Sequence, residues 1–325
     1  MPEIIDKEKK SIFTHPAVLT LCALLCCALW GSATPAIKTA SPLLIPQGHV
    51  PSTMLFAGIR FIFAGIITVL IYSIGRRKLL YPKKENIPRV LTVSAFQTVI
   101  QYIFFYVGLA NTTGVKGTVA SGCSAFFTVL IAALIFRTEK LTVKKIVACV
   151  MGFDGIVIIN INGLELTMNF LGDGFVILST VSYAFSSLFM KRFSKYEDPV
   201  VLSGYQFIVG GIFLTVVGLI FGGEISFSDG KGVVILIYLS FLSAVAYALW
   251  GLLLKFNPAS RVSVFTFSTP VFGVLLSALF LEESSGVQIL NLIITLVLVC
   301  AGILLLNYQP KEKPAVAEAT EEKQA

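Results

Sequence analysis

Long apolar runs alternate with short polar ones along almost the whole chain. Ten apolar segments of about 19–24 residues lie near 17–40, 52–74, 88–110, 116–136, 143–161, 172–191, 200–221, 231–254, 261–281 and 288–306. Each is long enough to cross a hydrocarbon core of about 30 Å. A span in lipid must satisfy its own backbone hydrogen bonds, so each is predicted to be helical. The pattern predicts an all-α membrane protein with ten transmembrane helices, a short polar segment at 1–16 and a disordered polar tail at 308–325. Lys7, Lys9 and Lys10 before the first apolar run also resemble a signal peptide, but nine further spans follow and this run is long enough to cross.

Composition agrees. The chain of 325 residues is 56% hydrophobic and 13% charged, with a mean hydropathy of +0.86. Soluble domains carry about 25% charged residues. The net charge of +7 is distributed by side: 21 of the 25 lysines and arginines fall in alternate segments on one side, against Lys38, Lys116 and Lys231 on the other. Arg60 lies within a span. Such bias places both termini in the cytoplasm of a plasma (inner) membrane protein and calls for no nucleic-acid partner. All six cysteines sit in apolar runs, and both histidines, His15 and His49, lie outside them. Neither a disulfide framework nor a metal site is expected, nor any cofactor.

The chain also repeats itself. GIRFIFAGI at 58–66 returns as GYQFIVGGI at 204–212, with five of nine positions identical at an offset of 146. FTVLIAAL at 127–134 returns as FGVLLSAL at 272–279, and Lys116 and Tyr102 return as Arg261 and Tyr247, all at offset 145. Asn160 and Asn307 match at offset 147, Trp30 and Tyr183 at 153. Two five-span repeats, 17–161 and 172–307, are therefore expected. Five is odd, so the second repeat enters the membrane from the opposite side, as in inverted-repeat transporters with a midplane site.

Several spans carry small or polar residues at helical spacing: Gln97 and Gln101 in the third, Ser121 and Ser124 in the fourth, Ser179, Ser182 and Ser186 in the sixth, Ser240, Ser243 and Tyr247 in the eighth. Such stripes serve either a polar interior or close helix packing. The fifth and tenth spans are poorest in them and are expected outside the other eight. Arg60 lies about 12 Å into its span, and its repeat-mate is Gln206. A charge at that depth costs about 2.5–3.5 kcal/mol on insertion scales, so it should face protein or water. It either fixes packing, or binds an anionic substrate group or switches partners as the halves move. Asp154, about 16 Å into the fifth span, is a candidate partner or proton carrier.

WGSATPAIK at 30–38, GIRFIFAG at 58–65 and RVSVFTFSTPVFGVLLSALFLEE at 261–283 resemble, in order and spacing, motifs of the EamA-like branch of the drug/metabolite transporter superfamily. The resemblance implies secondary transport, often export, of amino acids and other small metabolites without ATP. It also implies a central cavity lined by spans 1, 3, 4, 6, 8 and 9. Matching positions here are Trp30 and Ser32; Gln97, Gln101 and Tyr102; Ser121 and Ser124; Tyr183; Tyr247 and Trp250; and Phe267 and Pro270. The family's fourth span usually has a proline where this chain has Ala125, which leaves a kink there open. Alternating access around a midplane cavity is the expected mechanism, with glutamines and serines supplying hydrogen bonds and aromatic rings an apolar wall. The partners expected are a small-molecule substrate and membrane lipids; a homodimer stays open. A channel or lipid flippase on the same fold is the alternative. An intramembrane enzyme lacks its parts, since no span holds a histidine or a second mid-span acid beside Asp154.

Overall fold

The computed structural model describes residues 11–163, 167–280 and 288–307. The expected tail, the first ten residues and Glu282 and Glu283 of the third motif lie outside them. Among the described residues the regular structure is entirely helical: α1 (Pro16–Leu44), α2 (Val50–Gly75), α3 (Ile87–Ser94), α4 (Gln101–Ala110), α5 (Gly114–Leu134), α6 (Val143–Ile159), α7 (Phe175–Phe193), α8 (Pro199–Ile220), α9 (Gly230–Phe256), α10 (Ala259–Ser263), α11 (Ser268–Phe280) and α12 (Ile289–Asn307). Among the described residues nine stretches are long and apolar enough to cross a membrane, α3–α4 and α10–α11 each making one. The 17-residue α6 adds a tenth apolar helix, at the short end of what a bilayer needs. The chain is a multi-pass membrane protein.

Local chemistry starts and stops these helices. Asp198 and Asp229 cap α8 and α9 by accepting the Val200 and Gly232 N–H groups at 2.8 Å, and Pro199 occupies the first turn of α8, where its missing N–H costs nothing. After α8 the chain turns through Gly222 at φ +78°, where a side chain would be strained.

Packing follows the small residues. α2 and α8 cross antiparallel through Gly58 against Gly211 and Gly65 against Gly204: a Cβ on Gly58 would stand 2.8 Å from the Gly211 carbonyl, and one on Gly65 2.5 Å from that of Gly204. α6 and α12 pair in the same manner. Gly155 meets Thr295, which donates to its carbonyl at 2.8 Å, and Gly302 meets the Ala148 carbonyl. α1 packs on α9 and α11, and α7 packs on α4 and α5, while α6 and α12 pack chiefly on each other. The outward faces are apolar: Phe63 and Ile71 are half exposed, as lipid-facing side chains are.

Two spans are interrupted. Between α3 and α4, Ala95–Ile100 forms a π-turn, and the Phe96 carbonyl accepts the Ser182 hydroxyl from α7 at 2.6 Å. Between α10 and α11, Val264–Phe267 is a 3-10 turn just before Pro270. Proline has no N–H for the carbonyl four residues back and its ring clashes there. Cys27 donates to the Phe265 carbonyl within this turn, at 3.1 Å. In α5, where Ala125 stands in place of a proline, the helix runs unbroken from Gly114 to Leu134.

Polar ties join the first and second sequence repeats at both ends. At the lysine-poor end, Lys116 pairs with Asp173 at 2.9 Å, and Thr112 donates to the same carboxylate. At the basic end, Glu139 pairs with Lys145 at 2.8 Å and accepts the Ser260 hydroxyl. Burial pushes the Glu139 carboxyl up, but Lys145 and Ser260 outweigh it and hold the group below its ordinary value.

Candidate functional site

At the middle of the bundle, residues meet their own repeat-mates. Phe61 of α2 stacks on Phe207 of α8, with ring centres 4.9 Å apart and planes 4° from parallel. The Tyr102 and Tyr247 hydroxyls approach to 3.2 Å. Phe61 stands edge-on to Tyr102 at 4.6 Å, and Phe207 edge-on to Tyr247 at 4.9 Å. Such edge-to-face contacts contribute roughly 0.5–1.5 kcal/mol each beyond area burial. Trp30 of α1 extends the cluster, edge-on to Tyr247 at 5.2 Å and Trp250 at 4.9 Å.

The four-ring core is close to symmetric, but the residue beside it is not. Gln206 is fully buried and accepts the Thr98 hydroxyl at 2.7 Å, from the π-turn. Its mate Arg60 is 5% exposed, with its guanidinium carbon 4.4 Å from the centre of the Phe61 ring. The Arg60 Nε is buried with no hydrogen-bond partner. The residue matching Thr98 is Ser243, and its hydroxyl donates to the Leu239 carbonyl instead, at 2.9 Å.

Not every residue expected to line a cavity joins this group. Trp30, Tyr102, Tyr247 and Trp250 are in it. Tyr183 is buried, and its hydroxyl finds no partner in hydrogen-bond geometry. Gln97 is buried on the π-turn, and the buried Gln101 Oε1 has no partner. Ser121, Ser124 and Pro270 are partly buried on α5 and α11. Ser32 pairs instead with Tyr238 at 2.7 Å, on an exposed flank. Phe267 turns to α6, where a Cβ on Gly152 would fall 2.2 Å from its ring. Asp154 lies on the exposed face of α6, and no ion pair joins it to Arg60 among the described residues. The stripe serines are also committed: Ser179, Ser186, Ser240 and Ser243 donate to carbonyls of their own helices at 2.6–2.9 Å.

Phe61, Phe207 and Tyr106 were not singled out by the stripes. For the first two the signal was in the repeat, where the phenylalanine is one of the identical positions. Tyr106, matched by Gly251, had no such mark.

The EamA-like transporter family matches residues 18–161 and 170–308. The chain belongs to that family. Among similar proteins, an uncharacterized transporter of Bacillus subtilis, YvbV, is 27% identical over 91% of this EamA-like chain and 94% of its own length. An uncharacterized transporter of Archaeoglobus fulgidus is 29% identical over 78% of this chain and 87% of its own. A probable amino-acid metabolite efflux pump of Escherichia coli is 26% identical over 84% and 90%. A solved crystal structure superposes with a TM-score of 0.73 at 16% identity, over 89% of this chain and 96% of that one. That likeness concerns the fold.

Proposed function

We propose that this EamA-like protein is a secondary active transporter that exports small polar or amphipathic metabolites such as amino acids across the plasma membrane. It works by alternating access of two inverted five-helix halves, with both termini cytoplasmic. The observation that carries the reading is the reciprocity of the central contacts. Gly58 meets the mate of Gly65, and Gly65 meets the mate of Gly58. Phe61 and Tyr102 meet their own mates. Contacts of this form arise when a two-fold axis relates the parts. Because α2 and α8 cross antiparallel, that axis runs across the helices and hence in the membrane plane, as inverted repeats require. The separate family matches to the two halves and the 21-to-3 charge bias support the same reading. The efflux function in the name of the Escherichia coli relative supports export.

Rings in contact across the axis favour a carrier over a continuous pore. Rocking one half against the other opens one end while the tie at the other, Lys116–Asp173 or Glu139–Ser260, stays closed. The test is counterflow in proteoliposomes: saturable uptake of a labelled amino acid, accelerated by the same amino acid inside, is expected. Steady conductance without trans-acceleration would refute the carrier. Impermeant labelling of Lys231→Cys and Lys140→Cys should occur from opposite sides; labelling of both from one side would refute the inversion.

A further inference from the structure

We propose that Arg60 is the docking point for a carboxylate on the transported substrate, and that the surrounding aromatic rings receive the substrate's apolar part; this rests on the transport reading above. A buried guanidinium normally has acceptors, because an uncompensated charge away from water is costly. Arg60 is 5% exposed, yet it makes no hydrogen bond or ion pair among the described residues. Its neutral mate is half satisfied: the Gln206 Oε1 accepts the Thr98 hydroxyl at 2.7 Å, while its Nε2 is buried without a partner, so what sets Arg60 apart is its charge with no acceptor at all. On the side of Arg60 the corresponding hydroxyl, Ser243, is given to the Leu239 carbonyl. Asp154, the one acid expected near this depth, lies on the exposed face of α6. The Phe61 ring face compensates part of the charge but supplies no oxygen acceptor.

What is missing is an anion. One guanidinium without a second mid-span cation matches a monoanionic carboxylate, which its planar fork holds with two parallel N–H bonds. A cationic substrate would meet like charge. The Phe61 ring beside it and the rings linked to Phe61 (Tyr102, Tyr106 and Tyr247, with Trp30 and Trp250 beyond) suit an aromatic or branched apolar body. An apolar amino acid and a simple organic acid both carry the required group.

The chain's two tryptophans, Trp30 and Trp250, lie in this cluster, so intrinsic fluorescence reports on it. The experiment titrates the purified full chain with three probes of one shape and different charge: phenylacetate, phenylacetamide and phenethylamine. Phenylacetate should bind about 10- to 100-fold tighter than the amide, the range of a charge-assisted hydrogen bond. Arg60→Gln should abolish that preference, and Arg60→Lys should keep its sign at lower affinity. Equal binding of acid and amide, tighter binding of the amine, no carboxylate-selective response, or an unchanged preference in folded Arg60→Gln would overturn the proposal. Should Arg60→Gln fail to fold, the wild-type charge series and Arg60→Lys decide. Exchange of labelled phenylacetate, measured against protein-free vesicles, separates the two readings. Binding without exchange refutes transport and leaves the anion site; exchange indifferent to charge does the reverse.

Discussion

Replacing Gly211 by alanine tests the central crossing most directly. A Cβ there would stand 2.7 Å from both the Gly58 carbonyl and the Ile62 nitrogen. Real Cβ atoms essentially never come within 3.0 Å of such a neighbour, and the obstructing atoms are backbone, so α2 and α8 must separate by a few tenths of an ångström. Overpacking of this sort costs about 1–3 kcal/mol. Gly58→Ala should cost a similar amount, since its Cβ would meet the Thr215 nitrogen at 2.5 Å and the Gly211 carbonyl at 2.8 Å. The two changes act on one gap. Once the first has opened it, the second meets less resistance, and the double variant should lose less than the sum. Gly114→Ala is the control, because nothing lies within 4 Å of its Cβ; it should be near neutral. Thermal unfolding in detergent, followed by tryptophan fluorescence, reads the wild type and all four variants. If Gly58→Ala and Gly211→Ala melt with Gly114→Ala, or their effects simply add, the close crossing is not what holds the halves together.

Two further outcomes follow from the centre and the basic end. Tyr247→Phe removes the 3.2 Å hydroxyl contact with Tyr102 and nothing else. It should cost about 0.5–1.5 kcal/mol while changing counterflow kinetics, and unaltered kinetics would place the pair outside the substrate path. The Glu139 carboxyl is held below its ordinary value. Its stabilising contribution is therefore complete above the unfolded value of about 4.3 and is lost as pH falls through the lower folded value. The melting gap between wild type and Glu139→Gln should be level from pH 8 to about 5.5 and shrink below about 4; a gap unchanged at pH 3 would refute the pairing.

The spans were legible because length and hydropathy are dictated by the bilayer, whatever the neighbours. The break before Pro270 has a backbone cause, but a proline alone does not foretell one, since α1 continues through Pro35 and Pro42. The site was legible only in part. A helical stripe says which residues share a face, not which neighbour that face meets. Thus Trp30 and Trp250 come together while Ser32 turns to Tyr238 and Phe267 to Gly152. Nor does a stripe tell a hydroxyl lining a cavity from one bonded to its own helix, as Ser240 is. Phe61 and Phe63 are the same residue two positions apart, one fully buried and the other half exposed to the lipid side. The π-turn at Ala95–Ile100 has no compositional mark, and its purpose is visible in the Ser182 bond to the Phe96 carbonyl and the Thr98 bond to Gln206.

The unbroken α5 and its broken counterpart α10–α11 carry one more implication. In a duplicated carrier whose copies were identical, turning the molecule over would interchange its inward-open and outward-open forms. The forms would then have equal energy in a symmetric bilayer without a membrane potential, and the protein would rest in neither. Any resting bias must come from positions where the copies disagree. Ala125 against Pro270 is one such pair and Arg60 against Gln206 another. If the protein is the carrier proposed above, swapping Ala125 and Pro270 would invert that pair's share of the bias without touching the Arg60 site.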